Sequence, residues 1–108
     1  MALKGFVMVG SELCRPRWSR YSDGGIALLL VDVDGAPYAK ASVQLAGVVG
    51  VTVEPDEMIV KSYAENAGML EALVEAGLVE DTGKRIVSTH VNFPIVRVLD
   101  PQGLAVVQ

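Results

Sequence analysis

Residues 25–45 read GIALLLVDVDGAPYAKASVQL, and their pattern decides the fold class. Two β-rich runs, Ile26 to Val33 and Tyr38 to Leu45, flank the turn DGAP at residues 34–37. Asp-Gly between such runs is a strong hairpin signal, because tight hairpin turns need positive φ. The first arm is apolar on both faces, which places it inside a sheet. The second arm alternates. Tyr38, Lys40, Ser42 and Gln44 fall on one side, and Ala39, Ala41, Val43 and Leu45 on the other.

The flanking segments extend this picture. Residues 2–9, ALKGFVMV, read as a first strand. The polar stretch after it, residues 10–25, holds Pro16, Gly24 and Gly25 and reads as a long loop, with a short strand near Trp18 to Tyr21. AGVVGVTVEPDE, residues 46–57, reads either as a strand prolonged through a glycine bulge or as a crossing loop. EMIVKSY, residues 57–63, is a further strand. The period then changes. Ala67, Leu70, Leu73, Val74 and Leu78 follow helical spacing, Ser62 with Glu65 forms a capping-box pattern, and Gly77 supplies the stop. After a turn at EDTGK, residues 85–99 give one or two strands in which Pro94 marks a bulge or an edge. LAVV, residues 104–107, could close the chain as a short strand. Consecutive strands with one late helix predict an α+β domain over residues 1–108. Its antiparallel sheet has about five strands, and one helix, about 63–76, packs on one face.

Composition restricts the function. No run reaches the roughly 20 apolar residues of a membrane helix, and the apolar stretch after Lys4 is too short for a signal-peptide core. A lone cysteine forms no internal disulfide, which fits a cytoplasmic setting. The mean hydropathy of +0.39 fits a homodimer that covers apolar surface, though abundant Val, Ala and Gly account for it as well. The net charge of −4 disfavours general nucleic-acid binding. That charge is uneven. Residues 54–81 carry eight acids against Lys61 alone, whereas CRPRWSR, residues 14–20, carries three arginines and no acid.

CRPRWSR also holds the only cysteine and the only tryptophan. Arg15, Arg17, Trp18 and Arg20 form a candidate partner-binding loop, because Trp and Arg dominate interface hot spots. The same residues could grip a nucleic-acid backbone and stack one base, or Trp18 could cap the core while the arginines pair with the acids of residues 54–81. Glu71 and Glu75, four apart on the wet helix face, are the second candidate contact. The carboxylates of residues 54–81 could mimic phosphates, or form an ordinary solvated face. A small enzyme using Cys14, activated by the arginines and paired with His90, is a further alternative. No nucleophile motif surrounds either residue. Asp32 and Asp34 share a strand side, as acid–base pairs do, but aspartate beside a hairpin turn does the same without chemistry. The glycines form no phosphate loop, a single histidine leaves no histidine-based metal site, and no cofactor is expected.

A family resemblance rests on Tyr21 and Gly24 before an apolar strand, Asp34-Gly35-x-Pro37 at the hairpin, Gly77-Leu78 after the helix, Thr82-Gly83, and Phe93-Pro94. Across about residues 21–99 this layout resembles a family of short bacterial proteins classed as a domain of unknown function and carried by phages and other mobile elements. The resemblance implies a mobile-element origin and brings no catalytic residues. Together with small size and acidity, it leads to the expectation of a non-catalytic accessory protein. Such a protein would bind another protein, in its sharpest form a host defence complex, as anti-CRISPR proteins do.

Overall fold

A computed structural model describes residues 6–22, 24–44, 53–63, 66–87 and 91–99. The strands are β1 (Val7–Val9), β2 (Glu12–Arg20), β3 (Ile26–Val31), β4 (Pro37–Lys40), β5 (Glu57–Ile59), β6 (Val79–Val87) and β7 (Asn92–Val98), and the helix is α1 (Met69–Glu75). The fold is α+β, and the strands pair antiparallel. They do not form the single sheet of about five strands that the sequence predicts. Four strands pair in the order β1-β2-β3-β4 and three in the order β5-β7-β6.

The hairpin at residues 26–40 forms as expected. Asp32 closes its turn: its Oδ1 accepts the Asp34 and Ala36 amides at 2.9 and 3.0 Å. That is a structural duty for the Asp32/Asp34 pair. The expected alternation of the second arm holds at Tyr38 and Lys40 and fails at Ser42, which is buried. There the chain leaves β4 and crosses to the other sheet. Ser42 bridges Val60, the Val43 amide donates to Ile59, and the Lys61 amide donates to Ala41. The Ser42 hydroxyl accepts the Leu28 amide at 2.9 Å and shares a 2.8 Å bond with the Tyr21 hydroxyl. Buried Asn66 then ties both sides of the junction, donating through Nδ2 to the carbonyls of Lys40 (2.7 Å) and Lys61 (3.1 Å).

The largest correction concerns residues 12–20, which form the longest strand of the four-stranded sheet instead of a loop. Pro16 had argued for a loop. It is tolerated for a reason of register. The Leu28 amide and carbonyl bond outward, to Ser42 and Ala41, so the Trp18–Leu28 pair exchanges no ladder bonds, and neither does Pro16–Leu30 two residues on. The missing N–H of Pro16 therefore lies on the β1 side, and among the described residues the β1 pairing ends at Cys14.

The helix is shorter than the predicted 63–76. It starts after Gly68, whose φ of 89° lies outside the right-handed region. Ser62 still serves as a cap, from a distance: its Oγ accepts the Leu70 amide at 3.1 Å. Glu65, the expected capping partner, lies outside the described residues, as do His90 and residues 104–107. Gly77 ends the helix as expected, at φ 76°. Its amide bonds Val74, and the Leu78 amide bonds Leu73, which is the Schellman pattern. Met69, Leu70 and Leu73 are buried, whereas Val74, expected on the apolar face, is exposed. The main contacts of α1 are with β1 and β6, the outer strands of the two sheets, so it spans their open ends.

EDTGK is another correction, because it lies within β6 as a bulge. Asp81 pairs with Val96 and Arg85 with Pro94, so three residues of β6 stand against one of β7. The Thr82 hydroxyl fills the gap by donating to the Ile95 carbonyl at 2.6 Å. Pro94 sits beside this bulge, where the β5 pairing runs out. One buried cluster contains Cys14, Leu28, Leu30, Met58, Leu73 and Val96, and so draws on both sheets and the helix. A smaller cluster of Ile59, Ile86 and Ile95 lies beside Phe93 and Val43.

Removing either junction side chain leaves buried groups without partners, so Ser42→Ala and Asn66→Ala should each lower unfolding stability by about 1–3 kcal/mol. Urea denaturation checks this, and a loss no larger than that of Ser22→Ala, at an exposed site, would contradict it.

Candidate protein-contact site

The strand geometry of β2 divides the CRPRWSR residues between two faces. Cys14, Pro16 and Trp18 point inward, and half-buried Trp18 packs against the main cluster. Arg20 braces the next turn, with Nη1 donating to the Gly24 carbonyl at 2.9 Å. Arg15 and Arg17 are exposed on the outer face, opposite Val31 and Leu29. Lys40 flanks Leu29 on the other side, 5.3 Å from the Tyr21 ring. The sequence predicts one surface of three arginines and a tryptophan. The fold instead assembles Arg15, Arg17 and Lys40, and uses Trp18 for packing. Lys40 could have been found from the alternation of the hairpin arm, but its neighbours required the β2–β3 register.

Among the described residues, the arginines of β2 form no ion pair with the acids of residues 54–81. Asp56, Glu57, Glu80 and Asp81 find partners in the last two strands. Arg97 donates to Glu80 at 2.7 Å and lies 3.6 Å from Asp56. Arg85 holds Asp81 through two 2.9 Å bonds across the bulge. Lys84 reaches Glu57 at 2.7 Å, and Glu57 also accepts the Glu54 amide at 2.9 Å. Burial alone would raise the Glu57 carboxyl. The Glu54 amide and the Lys84 ammonium outweigh that and hold it below its ordinary value. Asp81 is held down to about 2, first by its bonds to Arg85 and then by the Gly83 amide.

Glu71 and Glu75 remain outside these pairs. Both are exposed, and no described base lies within ion-pair distance, although Arg85 is near enough to Glu71 to feel its field. Together they line a groove of about 700 Å³ between α1 and β1. Its apolar wall comes from Phe6 and Met8 of the β1 segment, and its helical wall is built from small residues, Gly68, Ala72 and Ala76. The groove exists because helical spacing puts these small residues on one side of α1 while the larger Met69, Leu70 and Leu73 enter the core. A groove of this size suits a bound segment or ligand.

Cys14 is fully buried, and its Sγ lies 3.9 Å from the Glu12 carbonyl. Burial, followed by the fields of Glu12 and Asp32, pushes the thiol above its ordinary value. A group held this way packs well and reacts poorly. Among the described residues, no cluster of three or more His, Cys, Asp or Glu is placed to hold a metal ion, and no helix is long and apolar enough to cross a membrane. No family model matches this chain, and neither the curated proteins nor the solved structures contain a match.

Two measurements check this electrostatic account. Glu57 and Asp81 titrate lower in the folded state than unfolded, so protonation favours unfolding. The stability contributed by Asp81 should be complete above its unfolded value of about 3.9 and disappear as pH falls toward about 2. Chemical denaturation between those limits should show the loss, with a shallower decline in Asp81→Asn; equal slopes would refute the assignment. Native protein treated with iodoacetamide at mildly alkaline pH should keep Cys14 unmodified, while the unfolded chain alkylates fully. Stoichiometric labelling of the native thiol would show that it is not a packing group.

Proposed function

We propose that this chain is a non-catalytic accessory protein of a phage or mobile element that acts in the bacterial cytoplasm by binding another protein. The observation that carries the reading is the α1–β1 groove, where an apolar wall and a strand edge with no partner among the described residues meet Glu71 and Glu75. Contact surfaces commonly combine an apolar centre with charge at the rim. Both acids belong to the helix face singled out from the sequence, so pattern and geometry favour the same place. The buried state of Cys14 favours binding over a thiol-based reaction. In its sharpest form the partner is a component of a host defence complex, in keeping with the acidic charge and the resemblance to mobile-element proteins.

The outer row of Arg15, Arg17 and Lys40 favours a second reading, contact with a nucleic-acid backbone. Three cations on a protein of net charge −4 make this the weaker one.

The expected result is that tagged protein recovers a defence component from host lysate and protects phage during infection, and that Glu71→Lys with Glu75→Lys abolishes both. Neither recovery nor protection by the unaltered protein would refute the defence reading. Activity lost instead in Arg15→Glu with Arg17→Glu would move the contact to the outer face.

A further inference from the structure

We propose that the α1–β1 groove takes an extended segment of a partner protein bearing lysine or arginine at alternate positions, which adds as a strand to the free edge of β1. The inference rests on the protein-binding reading above and specifies how that binding occurs.

The first argument is the edge itself. Among the described residues, β1 pairs with β2 on one side and with no strand on the other. Val9 and Glu12 close the two-residue turn at Gly10 and Ser11, so they form a ladder-bonded pair, and Val7–Cys14 forms the next. The Met8–Leu13 pair between them is not ladder-bonded. The Met8 amide and carbonyl therefore point away from β2, into the groove. No backbone bond among the described residues satisfies them. An unpaired edge of this kind is a template for another strand.

The second argument is space. Gly68, Ala72 and Ala76 stand four residues apart along α1, facing Phe6, Met8, Val9 and Gly10 across the gap. The helical wall presents little more than backbone and methyl groups at these positions. A chain lying along this edge can approach Met8 closely while its side chains on the outer sheet face meet Met8.

The third argument is charge and its spacing. Glu71 and Glu75 lie about 6 Å apart along the helix axis, from a rise of about 1.5 Å per residue. Alternate residues of a strand lie about 6.8 Å apart on one side. A strand running along α1 thus offers one side chain to each carboxylate, at positions two apart. Cations at those positions find the acids that no described base pairs with, while the intervening residues face the apolar wall.

The test uses the full chain and a short N-acetylated peptide alternating lysine with valine, followed by amide NMR and titration. Saturable binding is expected, with shifts centred on Met8 and slowed exchange of its amide. Glu71→Gln with Glu75→Gln should weaken binding about tenfold while leaving the fold intact, since both side chains are exposed. N-methylation of alternate peptide bonds should weaken it by a similar factor, which simple charge attraction would not do. Equal affinity for a peptide alternating glutamate with valine overturns the proposal, as does indifference to N-methylation, or shifts confined to Arg15 and Arg17. Binding that appears only after removal of residues 100–108 would assign the groove to the chain's own tail and also overturn it. So would protection of Met8 that grows with protein concentration alone, which would mean a second copy. Should the peptide fail while Glu71→Lys with Glu75→Lys still abolishes partner recovery and phage protection, the protein-contact reading stands and strand addition falls.

Discussion

The architecture depends on a junction of few hydrogen bonds. At Ala41–Val43 and Ile59–Lys61 the backbone passes from one sheet to the other, and the ladder there is too short to hold by itself. Two buried side chains complete it. Ser42 gives the Leu28 amide the acceptor that a continuing β4 strand would have offered, and Asn66 binds a carbonyl from each side of the junction. Their polar atoms are deep enough that an unmade bond would be costly. Because the junction holds, both sheets turn their apolar faces to one core, and α1 can close the ends left open at β1 and β6.

That closure also makes the groove. Asn66 anchors the segment just before α1, Gly68 turns the chain at a backbone angle that an L side chain rarely adopts, and the helix then runs past β1. A helix beginning at Ser62 would place different residues opposite the strand. The short helix is thus part of how the candidate site is built: its small residues meet an edge strand, and its acids reach the rim.

Charge follows the same geometry. The acid-rich region looks like one continuous surface in sequence, yet Asp56, Glu57, Glu80 and Asp81 are tied to Lys84, Arg85 and Arg97 within the three-stranded sheet. The bulge in β6 helps, since its extra residues place Lys84 beside Glu57 and Arg85 beside Asp81. Of the candidate contact residues, Glu71 and Glu75 remain available in the groove, and Arg15 with Arg17 on the opposite kind of surface, an outer sheet face.

Local physics was legible in the chain. The hairpin at residues 26–40, the Asp32 turn, the helix stop at Gly77 and the wet positions of Glu71 and Glu75 all follow from period, turn chemistry and φ preference, which act over a few residues. The strand character of CRPRWSR was hidden, because Pro16 is acceptable only where no partner needs its N–H, and that depends on the register with β3 and on where the neighbouring strand β1 stops. The split into two sheets was hidden for a similar reason. Ser42 and Asn66 look like ordinary polar residues until chain segments remote from them arrive to be bonded. Sequence by itself determined the hairpin at residues 26–40 with its turn and the helix stop at Gly77, since those are set by neighbours in the chain. Tertiary structure alone decided which side chains meet, which edge stays open and which charges are left unpaired, since each of those is a relation between segments that only folding brings together.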